Sequence, residues 1–241
     1  MQHHLHPKHL STGGGLAAIV LWSATFAFAR SLSEQVGPLT AAAAAYLFGG
    51  LLGWLRLGWT QTPLRSFFKL SRLYLFGCGG LFMAYTAAIY LAVGLAQDRV
   101  QVLEIALVNY LWPAATVLCS LLLLNHRAGA WLLPGTLLAL AGVFLVMTQG
   151  AQVTWASFWT HVRGNPAAYA LALFAAVTWA LYSALARRWS APEQGGAVEM
   201  FLPATGLVLL GLRLLIVEPT AWNGRAVGEA AALGAITALA Y

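Results

Sequence analysis

Glu104, Asn109, Tyr110, Trp112 and Pro113 all stand within one apolar run, Gln101 to Leu124. The run has the length of a membrane-spanning helix, about 20 residues for roughly 30 Å of hydrocarbon. A carboxylate, an amide and a proline at such depth are tolerated mainly where they face protein or a water-filled cavity, so these residues could line a polar pathway. Pro113 supplies a helix kink. It has no N–H, which leaves the carbonyl of Asn109 without its helical partner, free to bend the helix or to bind something polar. At about 100° per residue, Glu104, Asn109 and Trp112 share an arc of roughly 140°, with Tyr110 turned towards a neighbour. The alternative for this face is interhelical packing, with Glu104 snorkelling to the interface from one turn inside the helix.

Four more aromatic residues belong with this set. Trp22 and Trp179 sit mid-run, where an indole N–H needs a partner. Tyr46 and Tyr85 each offer a ring face and a hydroxyl, suited to an amphipathic organic solute and equally to interhelical hydrogen bonding. Gly49 and Gly53 form a GxxxG that lets helices approach closely. Glu199 and Arg213, at the ends of a later run, are expected to reach the interfaces. No HExxH, GxSxG, Walker A or paired-carboxylate motif occurs, so enzymatic chemistry has little support and no catalytic residue, metal or cofactor is assigned. His3, His4, His6 and His9 read as a short solvated tail, since no second ligand cluster accompanies them.

The elements that hold these residues are hydrophobic helices. The 241-residue chain is 60% hydrophobic and 8% charged, against about 25% charged in soluble domains, which excludes a water-soluble fold. Its net charge of +6 comes from bases scattered singly between apolar runs, which argues against nucleic acid as a partner. Cys78 and Cys119 lie inside apolar runs and read as buried, reduced thiols. The runs are Gly13 to Ala29, Pro38 to Gly58, Leu73 to Ala96, Gln101 to Leu124, Trp131 to Met147, Pro166 to Ala186, Ala197 to Val217 and Val227 to Tyr241. That makes seven complete spans and one cut short. The longer link from Gln149 to Asn165 carries Trp155, Phe158 and Trp159 and suits an amphipathic helix with its aromatics at headgroup level. With the N-terminus inside, Lys8, Arg56, Arg65, Lys69, Arg72, Arg127, Arg187 and Arg188 are cytoplasmic, against Arg30, Arg99, Arg163, Arg213 and Arg225 outside, which favours that orientation.

An internal repeat orders the spans. A shift of 157 positions lays Ala18–Arg30 on Ala175–Arg187, matching Val20 with Val177, Trp22 with Trp179 and Arg30 with Arg187; Gly77 then falls on Gly234. A unit of five spans crosses the membrane an odd number of times, so its copy enters from the opposite side. Inverted repeats of this kind typify secondary transporters, with a site near the midplane between the halves. The expected organisation is a cytoplasmic tail (1–12), a first five-helix repeat (13–148), a connecting loop (149–165) and a second repeat with three of its five helices (166–241).

IVLWS (Ile19–Ser23), Arg30, Gly37-Pro38, AAAAAY (Ala41–Tyr46), Glu104 followed by VNYLWP (Val108–Pro113), and PGTLLALAGV (Pro134–Val143) together resemble the EamA-type members of the drug/metabolite transporter superfamily that export aromatic amino acids across bacterial inner membranes. The resemblance runs from about residue 13 to the end. It implies an all-α polytopic fold of ten helices in two inverted five-helix repeats, here ending within the eighth helix, with the N-terminus cytoplasmic. It also implies a multi-pass inner-membrane transporter that exports aromatic and other amino acids by alternating access, in the bilayer and without a cofactor. Trp22, Tyr85, Tyr110, Trp112 and Trp179 would surround the central cavity, with Tyr46, Glu104 and Asn109 as further candidates. Glu104 is the carboxylate best placed for a proton role, although the expectation is of no coupling or weak coupling. Rival readings are a carrier of other metabolites or drugs in the same superfamily and a membrane enzyme acting on lipids. The oligomeric state is left open, with a monomer as one option. If the repeat holds, a full version continues to roughly 300 residues and ten spans. The 241 residues alone are then expected not to transport, and vectorial flux through them in proteoliposomes would defeat that expectation.

Overall fold

The structure is a computed structural model that describes residues 16, 20–60, 67, 70–124, 129–149, 153–189, 197–218 and 220–240. The histidines of the tail, Lys8, Arg65, Lys69, Arg127 and Tyr241 lie outside the described residues. Among the described residues, ten helices of ten or more residues follow one another: α1 (Thr25–Val36), α2 (Pro38–Trp59), α3 (Leu73–Leu95), α4 (Arg99–Asn109), α5 (Trp112–Leu123), α6 (Leu132–Thr148), α7 (Trp155–Gly164), α8 (Pro166–Trp189), α9 (Val198–Leu215) and α10 (Gly224–Ala240). Among the described residues, five stretches are long and apolar enough to cross a bilayer: α2, α3, α4 with α5, α8 and α9. Among the described residues, the first expected span has helical residues at 20–23 followed by α1, and the fifth and eighth appear as helices of 17 residues each.

Local chemistry sets the ends. Gly37 separates α1 from α2 at φ 86°, a left-handed conformation that suits glycine, and Pro38 follows at the first position of α2, where its missing N–H costs nothing. Asp98 caps α4 by accepting from the Gln101 N–H at 2.8 Å. Thr154 and Ser157 form a reciprocal capping box on α7. That helix falls in the link where an amphipathic helix was expected, and its Trp155 and Trp159 are exposed. The sequence placed the end of the first span at Arg30, but α1 runs on to Val36. The reason is that Arg30 is bonded and need not reach water: its guanidinium donates to the carbonyls of Val93 (2.9 Å) and Ala96 (2.7 Å) and pairs with Glu34 at 2.7 Å. The first turns of α3, Leu73–Cys78, are π-helical.

The two units interlock. α2 packs mainly on α9 and α10, α3 and α5 pack on α8, and α1 packs on α2 and α10. The third span of each unit (α3, α10) therefore lies on the first span of the other (α8, α1), the reciprocity that a two-fold relation between the units produces. Small residues make the central crossing possible. A Cβ added at Gly49 would lie 2.9 Å from the Gly234 carbonyl oxygen, and one at Gly50 would lie 2.8 Å from the Pro203 ring. Gly53, the second residue of the GxxxG, faces Glu199. At the same crossing Pro203 sits inside α9. Gly50→Val is expected to lower stability by about 1–3 kcal/mol through overpacking. Gly80→Ala, where nothing lies within 4 Å, should be neutral. Thermal melting in detergent of the two variants side by side checks this, and equal melting would refute it.

Candidate functional site

Between the two units lies a cavity of about 100 Å³, enough space to admit several waters. Its walls come from six spans. Trp22, Thr25 and Phe26 stand on the first, Tyr46 on α2, and Tyr85, Ile89, Tyr90 and Val93 on α3. The junction of α4 with α5 gives Asn109, Tyr110 and Trp112, α8 gives Trp179, and α10 gives Ile236 and Thr237. Seven of the eight residues singled out from sequence thus meet in one place: Trp22, Tyr46, Tyr85, Asn109, Tyr110, Trp112 and Trp179. Trp179 is their hub. Its ring lies 4.6 Å from Tyr85, 5.0 Å from Tyr182 and 6.1 Å from Phe82, and it meets Trp112 edge-on at 6.3 Å and 83°. Such edge-to-face and tilted contacts hold aromatic walls in fixed relation while leaving ring faces for a guest.

The cavity wall is broken where the sequence placed its proline. α4 ends at Asn109, a turn spans Tyr110 and Leu111, and α5 starts at Trp112 with Pro113 in its first turn. The Leu111 N–H reaches the Val108 carbonyl, an i to i−3 bond tighter than the α-helical one. The ideal-helix reading turned Tyr110 away from Asn109 and Trp112. The changed winding at the break instead lets all three line the cavity, and Tyr110 also borders a groove between α5 and α6 that includes Pro113. Sequence reasoning missed Thr25, Phe26, Tyr90, Ile236 and Thr237. Spacing offered a signal for some: Thr25 is one turn from Trp22, and Tyr85, Ile89 and Val93 recur every four residues along one helical face.

Glu104 lies elsewhere. It is fully buried, at 0% exposure, and does not line the cavity. Its two carboxylate oxygens lie 3.0 and 3.1 Å from His161 Nδ1 of α7, and Tyr169 of α8 donates its hydroxyl to one of them. Nearby, Asn165 donates to the Leu95 carbonyl at 2.8 Å and to Gln101 Oε1 at 3.1 Å. The end of α3, the start of α4 and the joint between α7 and α8 are stitched together by side chains. No group of three or more metal-ligating residues occurs among the described residues.

The profile of the EamA-like transporter family matches residues 12–148, more than half of the chain. The chain belongs to the EamA-like transporter family. It is similar to the aromatic amino acid exporter YddG of Escherichia coli (strain K12), with 31% identity over 205 residues that cover 85% of this chain and 68% of that protein. It is also similar to the exporter of the same name from Salmonella typhimurium (strain 14028s / SGSC 2262), 33% identical over 81% of this chain and 65% of that protein, and from Ancylobacter novellus, 33% identical over 86% and 68%. The chain therefore spans about two thirds of the length of these curated relatives. A crystal structure 28% identical in sequence superposes with a TM-score of 0.75, covering 96% of this chain and 77% of the other. As a member of this family the chain is a multi-pass membrane protein of all-α fold.

Within this EamA-like chain the Glu104 cluster acts as a clasp between the first unit, the connecting helix and the second unit. Removal of one partner leaves a buried carboxylate short of a donor, which costs about 1–3 kcal/mol. Tyr169→Phe is expected to lower the melting temperature while leaving the aromatic cavity intact, and an unchanged melting curve would count against the clasp.

Proposed function

We propose that the protein is a bacterial inner-membrane carrier that exports aromatic and other amino acids by alternating access, with its N-terminus in the cytoplasm. The observation that carries this reading is the cavity itself. It is lined by Trp22, Tyr46, Tyr85, Tyr110, Trp112 and Trp179 and lies between two interlocked units. An apolar, aromatic lining with few polar atoms suits organic solutes and favours breadth over tight selection. The similarity to exporters named for aromatic amino acids supports the substrate class. A site between inverted units suits a mechanism in which two helix groups drawn from both units, α1, α2, α9 and α10 against α3, α4, α5 and α8, rock about it and face each side of the membrane in turn.

In this reading the rings of Trp112 and Trp179 hold the side chain of the transported molecule. The clasp at Glu104 keeps α4 on α8, so that the α3–α5 wall moves together with α8. Export needs no cofactor in this scheme, and among the described residues the cavity lining holds no Asp, Glu, Lys or Arg, which supports a reading of weak or no proton coupling at the site. Trp112→Ala and Trp179→Ala are each expected to cut counterflow of labelled phenylalanine in proteoliposomes of the full-length protein. The loss should be about tenfold, the size expected when about 1–2 kcal/mol of aromatic contact is removed. Unchanged flux in both variants would remove these rings from the mechanism.

A further inference from the structure

The aromatic cavity has a polar pole at the helix break. Asn109 is 3% exposed, and its Oδ1 has no hydrogen-bond partner within the protein. The buried hydroxyl of Thr25, on α1, also has none. Buried polar atoms are satisfied in the great majority of cases, so two orphans lining one cavity mark a place where a ligand's polar group is received. The two walls meet here: Phe26, next to Thr25, and Tyr110, next to Asn109, bring their rings to 6.3 Å.

The backbone brings both dipole ends to the break: the N-terminal end of α5, at Trp112, carries partial positive charge, while the acceptors gather at Asn109. Asn109 is the last residue of α4, whose C-terminal end carries the partial negative charge of the helix dipole. Pro113 has no N–H to offer the Asn109 carbonyl, so a main-chain acceptor and a side-chain acceptor coincide at one residue. Broken helices in carriers place such C-terminal ends against cations. The faces of Tyr85, Trp112 and Trp179 are also electron-rich and attract a cation held near them. Among the described residues, no lysine, arginine or histidine lines the cavity to receive a carboxylate in place of an ammonium.

We infer that Asn109, assisted by Thr25, is a specificity-determining residue that receives the ammonium group of the transported molecule, while the aromatic walls take its apolar tail. This deepens the amino-acid reading of the same cavity and rests on it. The ligand class is an organic primary amine, with α-amino acids as its zwitterionic members.

The test separates the two ends of phenylalanine. 2-Phenylethylamine keeps the ammonium and loses the carboxylate, and 3-phenylpropionate does the reverse. Binding of each to the full-length protein in detergent is followed by intrinsic tryptophan fluorescence, which needs no transport. The amine is expected to bind at least about tenfold more tightly than the acid, the worth of one hydrogen bond to a charged group. Asn109→Leu should abolish that preference, and Asn109→Asp should keep or strengthen it. If Asn109→Leu does not elute as a single folded species, Thr25→Val replaces it, with a smaller loss of amine binding expected. Preference for the acid, binding of neither compound, or an amine preference unchanged in the folded variant used would overturn the assignment. Counterflow of labelled phenylalanine in the same preparation reports on the export reading alone. Amine-selective binding without counterflow would keep the polar pole and discard export, and counterflow without amine preference would do the opposite.

Discussion

The backbone-to-backbone approach of α2 to α9 and α10 is the constraint on which the rest of the molecule depends. In lipid there is little hydrophobic gain from bringing one apolar helix against another, so close packing and a few polar bonds must supply the cohesion. Gly49 against Gly234, Gly50 against Pro203 and Gly206 against Leu47 remove side chains from the contact and let the first unit lie directly on the second. With that crossing in place, α3 and α5 fall against α8 and α1 falls against α10. The cavity is the space that remains where large aromatic side chains, held apart by their own bulk, cannot close the seam as the glycines do.

Polar groups in this fold divide by their partners. Glu104, Arg30 and Arg213 are satisfied by protein: an imidazole and a phenol, two helix-end carbonyls, and the Thr40–Glu218–Thr220 group respectively. Each is a long-range tie between helices, which is how a charged group survives beside hydrocarbon. Asn109 and Thr25 are the contrast, since they face the cavity with unused bonding capacity. Among the described residues, these charged groups thus serve cohesion and neutral ones line the cavity.

Much of this was legible from sequence because hydropathy in a membrane protein is a strong signal: the apolar runs, the repeat of Trp22 in Trp179, and the proline beneath Asn109 located the walls. The losses have physical causes. The resemblance put Tyr110 at the cavity, but ideal winding turned it away from Asn109 and Trp112, and winding fails where Pro113 breaks the ladder. Glu104 was grouped with the pathway, with interhelical packing and snorkelling as the alternative, because its partners His161 and Tyr169 lie 57 and 65 residues away, at no spacing a helix could reveal. Arg30 looked like an end marker because its partners, the carbonyls of Val93 and Ala96, belong to a helix more than sixty residues on.

The start of α2 depends on a residue made long after it. The carboxylate of Glu218 accepts from the N–H groups of Leu39 and Thr40 and from the Thr40 hydroxyl, at 2.8 to 3.0 Å, and no side chain near Gly37 caps the helix instead. Glu218 follows Leu39 by 179 residues. During synthesis, therefore, α2 enters the bilayer with its first turn still open to water at the interface, and that turn is finished only when the α9–α10 connection emerges and returns to it. Chain order and completion order differ at this helix, and the second unit closes what the first began.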